Sequence, residues 1–163
     1  MSTTTNPTPT RGTNRRQVDP RGPRFGAVIT TVVLALILIL GPASGIAVAL
    51  LSVQILAFAA GAILGLQAQP YGWLFRRVIR PRLSPPSELE DQAPPRFAQV
   101  VGLVFALVGA LGLLTGISVI FYVAVGAALA AAFLNAAFNF CLGCEMYLIA
   151  KRLGIGRKVL PAS

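Results

Sequence analysis

Two long stretches of this chain, Phe25 to Phe75 and Phe97 to Cys144, carry no charge at all. All 14 basic and 5 acidic side chains lie outside them. A charged side chain costs about 3 kcal/mol at the centre of a membrane helix, and about 20 apolar residues suffice to cross the hydrocarbon. Each stretch is more than twice that length, enough for two crossings. Gly41-Pro42-Ala43-Ser44-Gly45 divides the first, because proline lacks a backbone donor and glycine permits a tight turn; Thr115-Gly116-Ile117-Ser118 divides the second. The expected fold is all-α: an integral membrane four-helix bundle made of two tandem helical hairpins, with spans near residues 25–41, 46–66, 97–114 and 119–139.

A composition of 55% hydrophobic and 12% charged residues, with a mean hydropathy of +0.74, excludes a soluble enzyme, a disulfide scaffold and a disordered chain. No histidine is present, so the commonest acid/base catalyst and metal ligand is missing. Five basic residues precede the first stretch (Arg11, Arg15, Arg16, Arg21, Arg24), five separate the stretches (Arg76, Arg77, Arg80, Arg82, Arg96) and four follow the second (Lys151, Arg152, Arg157, Lys158). The two hairpin turns have none. By the positive-inside rule, both termini and the central connection are expected in the cytoplasm. Topology thus accounts for the net charge of +9, and nucleic acid is not an expected partner; the lipid bilayer is. The expected organisation is a disordered basic arm (1–24), hairpin 1 (25–66), an interfacial helix with an acidic, proline-rich linker (67–96), hairpin 2 with its Cys-x-x-Cys (97–153) and a basic tail (154–163).

At 100° per residue, Leu74, Phe75, Val78 and Ile79 gather on one arc and Arg76, Arg77 and Arg80 on the opposite one. This pattern predicts a short helix in the cytoplasmic interface, with Trp73 and Tyr71 at the aromatic belt and the arginines facing anionic lipid headgroups.

Sliding the chain along itself until Asp19 meets Asp91 lays Asp19-Pro-Arg-Gly-Pro-Arg-Phe-Gly-Ala-Val28 over Asp91-Gln-Ala-Pro-Pro-Arg-Phe-Ala-Gln-Val100, with five of ten positions identical. Both hairpins run the same way, so the expected relation is a parallel internal repeat about an axis along the membrane normal. Gly61-Ala-Ile-Leu-Gly65 and Gly112-Leu-Leu-Thr-Gly116 carry small residues at helix-packing spacing, within the bundle or in a homo-oligomer.

Asn135, Asn139 and Phe140-Cys141-Leu142-Gly143-Cys144-Glu145 form the one local constellation with chemical potential. The two cysteines, three positions apart, share a face of a helix and lie close enough for a disulfide. They are candidates for a redox dithiol, against a reading as small buried hydrophobes. In the register of the repeat, Cys141 and Cys144 fall on Gln69 and Gly72, where the chain must break around Pro70. A matching break is expected in hairpin 2, with Gly143 as the swivel and Cys144 opening a new helix whose free N–H groups favour a thiolate. Glu145 opposes that charge unless Lys151 or Arg152 offsets it. Asn135 and Asn139 are expected to support the bundle through an interhelical hydrogen bond, with Gln54 as partner. No cofactor is expected, and Cys141 and Cys144 would hold a metal only across a dimer or with a partner, since closed zinc sites need four ligands.

The segments Val18-Asp-Pro-Arg-Gly-Pro-Arg-Phe25, Pro70-Tyr-Gly72 to Arg80-Pro-Arg82, Ala93-Pro-Pro-Arg-Phe97 and Phe138-Asn-Phe-Cys-Leu-Gly-Cys-Glu145 together resemble bacterial family 4395 of the domains of unknown function, over about residues 17 to 153. The resemblance implies a small multi-pass protein of the bacterial inner (plasma) membrane, and points to a thioredoxin-like or sulfurtransferase protein as soluble partner. It brings no catalytic residues. The leading expectation is a membrane-bound dithiol module for thiol redox or sulfur transfer. A non-enzymatic scaffold or assembly subunit, and a facilitator of a small sulfur-containing solute, are the alternatives.

Overall fold

A computed structural model of the protein describes residues 17–86 and 88–154. Most of the basic arm, including Arg11, Arg15 and Arg16, and the tail with Arg157 and Lys158, lies outside the described residues. Four helices are long and apolar enough to cross a membrane: α1 (Arg21–Leu40), α2 (Gly45–Ala59, extended by a π-helical turn to Leu64), α4 (Ala93–Thr115) and α5 (Ser118–Phe138). Two short helices, α3 (Pro70–Leu74) and α6 (Leu142–Arg152), follow α2 and α5.

Local chemistry sets the ends of these helices. Helix α1 starts one turn before the charge-free stretch because Asp19 accepts the Arg21 N–H at 3.0 Å and Pro23 fills a first-turn position that needs no donor. The same device recurs at the equivalent place in the second half, where Asp91 accepts the Ala93 N–H at 3.1 Å ahead of Pro94 and Pro95. Hydropathy marks the segment that hydrocarbon tolerates, whereas the caps decide where helical backbone begins. Gly41 (φ 74°) and Gly116 (φ 73°) end α1 and α4 in a backbone conformation costly for other residues.

Structural pairs extend the repeat well past the block of sequence identity. In its register, the first residue of α1, Arg21, falls on that of α4, Ala93, and the first residue of α3, Pro70, falls on that of α6, Leu142. Phe25 meets Phe75 with ring centroids 5.8 Å apart, and the equivalent pair, Phe97 and Tyr147, meets at 5.9 Å. Each half also clamps the other. Arg24 donates to the Ala136 carbonyl (3.3 Å) near the end of α5, while Arg96 donates to those of Ala62 and Ile63 (both 2.9 Å) near the end of α2. A short antiparallel pairing of β1 (Gln17–Val18) with β2 (Glu90–Asp91) joins the halves at the same end. These contacts bring the basic residues of the described chain to one end of the bundle, away from the Gly41 and Gly116 turns.

Between the helices sit Leu34, Ile37, Leu51, Phe121 and Val125, all fully buried, with Ala47, Ala106 and Ala128 filling the narrow crossings. The paired small residues divide their roles. A Cβ at Gly61 would lie 2.8 Å from Gln99 and one at Gly112 would lie 2.6 Å from the Phe121 nitrogen, so these two permit close packing. Gly65 and Gly116 instead supply positive φ at turns.

The short helix expected after the first hairpin takes another form. After one α turn it widens to a π turn at Phe75–Ile79 and tightens to a 3₁₀ turn at Arg80–Arg82. A constant step per residue no longer applies. Phe75 is buried against Phe25 while Leu74 and Val78 are exposed, so the four apolar residues do not form a single face. Arg76 turns back to bond the Gln67 carbonyl.

Candidate functional site at the start of helix α6

Helix α5 stops at Asn139, the one non-glycine residue with positive φ (56°) among those described. Its N–H bonds the Asn135 carbonyl and that of Phe140 reaches back to Leu134, both at 3.2 Å, which satisfies the last turn. The chain then runs extended through Cys141 and starts α6. The break expected from the repeat is therefore present, but its swivel is Asn139 and not Gly143. Asparagine serves because its short polar side chain tolerates the left-handed region.

Gly143 has a different task. A Cβ there would lie 2.6 Å from both the Cα and Cβ of Ala98, so only glycine lets α6 cross α4 this closely. Tyr147 one turn later rests on Phe97, and the two contacts orient the cysteine pair.

Cys141 occupies the N-cap of α6, and its Sγ accepts the Cys144 N–H at 3.3 Å. The expectation that Cys144 opens this helix is thus corrected: Cys141 does, and Cys144 lies within the first turn. The two are joined as a disulfide with Cα atoms 5.1 Å apart. Both are partly buried. An N-cap sulfur faces the unpaired N–H groups and the positive end of the helix, an arrangement that stabilises negative charge. Exposed Glu145 opposes it, and Lys151 and Arg152 lie in the last turn, away from it.

The remaining candidates sort differently. Asn135 is half-buried and Asn139 exposed, and neither bonds Gln54. Trp73 is exposed, with the Arg77 guanidinium 5.9 Å from its ring centroid; Arg80 is exposed too. Among the described residues, no group of three or more Cys, Asp or Glu side chains could hold a metal ion.

Two buried polar sets escape the reading of the sequence. Gln54, with no exposure, donates to Thr30 at 3.4 Å and accepts from the Tyr71 hydroxyl at 2.9 Å. Gln69, also buried, donates to Gln99 at 2.9 Å. Burial pushes the Tyr71 phenol above its ordinary pKa, keeping it a neutral donor. The available signal was glutamine in otherwise apolar stretches, which must find a partner; what the sequence conceals is which partner.

The repeat supplies an internal comparison for the cysteines. Gln69 and Gly72 occupy the positions equivalent to Cys141 and Cys144. In the first half they are buried, with Gln69 tied to Gln99 and Gly72 under the Leu66 carbonyl. For the cysteine site the residue equivalent to Gln99 is Ala27 of α1, which has no polar side chain to tie down Cys141. The same backbone site is a closed polar anchor in one half and a partly buried cysteine pair in the other.

A sequence model of the family described as Domain of unknown function (DUF4395) matches residues 18–152. The chain belongs to the DUF4395 family. The match in this DUF4395 protein runs from β1 through the last residue of α6, so it takes in both halves of the repeat and the cysteine pair. No curated protein and no solved structure matches the chain.

Proposed function

We propose that this DUF4395 protein is a multi-pass protein of the bacterial plasma membrane whose charged end faces the cytoplasm and carries a working dithiol/disulfide couple, Cys141 and Cys144. The couple exchanges electrons or sulfur with a soluble thioredoxin-like or sulfurtransferase partner. The observation that carries this reading is the Cys141 sulfur at the N-cap of α6, within hydrogen-bonding reach of the Cys144 N–H and joined to Cys144 as a disulfide. Supporting it, the basic residues of the described chain gather at this same end, as the positive-inside rule requires of a cytoplasmic face.

In the electron-transfer step, the Cys141 thiolate attacks a disulfide of the partner and one partner thiolate leaves. Cys144 gives up its proton to water and attacks the Cys141 sulfur, releasing the second partner thiolate and closing the Cys141–Cys144 bond. Two electrons pass from the dithiol to the partner. With a persulfide partner, Cys141 takes the terminal sulfur, the partner thiolate leaves, and Cys144 then displaces that sulfur as hydrosulfide. A cytoplasm that keeps ordinary thiols reduced makes any disulfide at this end transient, as turnover requires.

The test is acid quenching of intact cells followed by an alkylation gel shift, before and after mild oxidant. The expected result is a shift that reverses within minutes, and a mixed disulfide trapped by Cys144→Ser but not by Cys141→Ser. Thiols that stay reduced and unreactive throughout would overturn the reading.

A further inference from the structure

Four arginines at the charged end are engaged with backbone carbonyls: Arg21 with Ser84, Arg24 with Ala136, Arg76 with Gln67, and Arg96 with Ala62 and Ile63. Arg77, Arg80 and Arg82 are not. All three are exposed, they fall on the short run 77–82 that closes the segment after α3, and among the described residues none has a carboxylate partner. Arg80, with Arg76, borders an open cleft of about 440 Å³ whose other walls are Pro81, Leu83 and the turn at 84–86. The same short segment presents Trp73, 54% exposed beneath the Arg77 guanidinium, and the exposed aliphatic side chains of Leu74 and Val78.

This combination matches the boundary between acyl chains and headgroups. An indole and aliphatic stems sit at the apolar level while guanidinium groups reach the phosphate plane. Guanidinium also suits a phosphate geometrically, since its planar donors bond two oxygens at once. The other half of the repeat is built differently: Met146, Leu148 and Ile149 stand where the first half has Leu74, Arg76 and Arg77, and only Arg152 repeats Arg80. The feature therefore belongs to one half and is not a by-product of the duplication.

We propose that Arg77, Arg80 and Arg82, with Trp73 at the boundary, form a binding site for the phosphate of an anionic phospholipid headgroup. A lipid fits better than a free anion because the same short segment that carries the three arginines also exposes the apolar side chains of Trp73, Leu74 and Val78, and Leu83 lines the cleft beside Arg80. The proposal rests on the membrane location given above and is independent of the dithiol.

The full chain is reconstituted in nanodiscs of phosphatidylcholine with a minor fraction of phosphatidylglycerol, and lipids that leave with the protein are counted by native mass spectrometry. Phosphatidylglycerol should be enriched over its bulk fraction. The Arg77→Gln/Arg80→Gln/Arg82→Gln variant should lose the enrichment, roughly fivefold per arginine from the surface attraction of each basic residue. Lys151→Gln/Arg152→Gln, which removes two charges from α6, should keep it. Trp73 is the only tryptophan in the chain, so its emission gives a second readout. Brominated phosphatidylglycerol should quench it more than brominated phosphatidylcholine in the wild type, and equally in the triple variant, whose helical circular dichroism checks its fold.

Equal retention of the two lipids by the wild type, or enrichment that survives the triple substitution, would overturn the site. Equal loss in the α6 variant would reduce it to the general field of the charged end. Displacement of the lipid by millimolar inorganic phosphate would make the ligand a free anion. Failure to enter nanodiscs of any composition would defeat the membrane location itself, which separates that failure from those of the headgroup site.

Discussion

Gln54 is the most demanding test of the bundle. It has no exposure and joins three elements, donating to Thr30 of α1 at 3.4 Å and accepting from Tyr71 of α3 at 2.9 Å. Gln54→Leu keeps most of the volume and removes both bonds. Interhelical hydrogen bonds in membrane proteins average about 0.6 kcal/mol, so the loss is about 1.2 kcal/mol. The orphaned groups add little: Thr30 can bond a carbonyl of its own helix, and Tyr71, partly exposed at the charged end, can turn toward water. Tyr71→Phe has a different cost, because it strands the Gln54 oxygen where no water reaches. That penalty is about 1–3 kcal/mol. The double variant should therefore be no less stable than Tyr71→Phe alone, a coupling of about 1 kcal/mol. Reversible unfolding in mixed micelles, followed by Trp73 emission, measures all four corners of the cycle. Strict additivity of the two single substitutions would refute the bond and with it the account of how α3 is held.

Other consequences follow from single contacts. Gly143→Ala should destabilise by about 1–3 kcal/mol, the usual cost of overpacking. Ala98→Gly should not rescue it, because the Ala98 Cα also lies 2.6 Å from the new Cβ; thermal unfolding of the three variants decides. Asn139→Ala should cost about 1 kcal/mol through its left-handed backbone, whereas Asn139→Gly should be tolerated, as read by the same unfolding assay. Arg96→Gln should cost more than Arg24→Gln, by about 1 kcal/mol or less, since Arg96 makes two bonds at 2.9 Å and Arg24 one at 3.3 Å. Equal melting temperatures would argue against the clamps. The raised phenol of Tyr71 gives a pH signature: above about pH 10 the unfolded chain loses this proton first, so the folded state binds more protons and stability falls as pH rises. Tyr71→Phe should flatten that slope in alkaline unfolding curves.

Much of this architecture is legible without coordinates because its causes are local. Long charge-free runs mark helices that tolerate hydrocarbon, and Gly41 and Gly116 mark turns because they carry a conformation that few residues adopt. Pro23 and Pro95 mark helix starts for a similar reason. A break before α6 was likewise readable, since Pro70 shows where the first half breaks and the register of the repeat carries the same break to the second. That register was visible in one short block only, because apolar side chains on exposed helix faces exchange freely with one another and erase identity elsewhere.

What the tertiary structure alone decides are contacts between distant residues. Gln69 finds Gln99 on another helix, and Gln54 finds Tyr71 and Thr30 in place of the asparagines of α5. Gly143 reads as a hinge in sequence and proves to be a crossing, because Ala98 lies against it. Cys141 heads α6 because Asn139 absorbs the turn just before it. Hydropathy, capping and turn preference act within a few residues and survive in the sequence. The partner of a buried amide, or the clearance beside a glycine, depends on how helices cross, and no short window of sequence contains that.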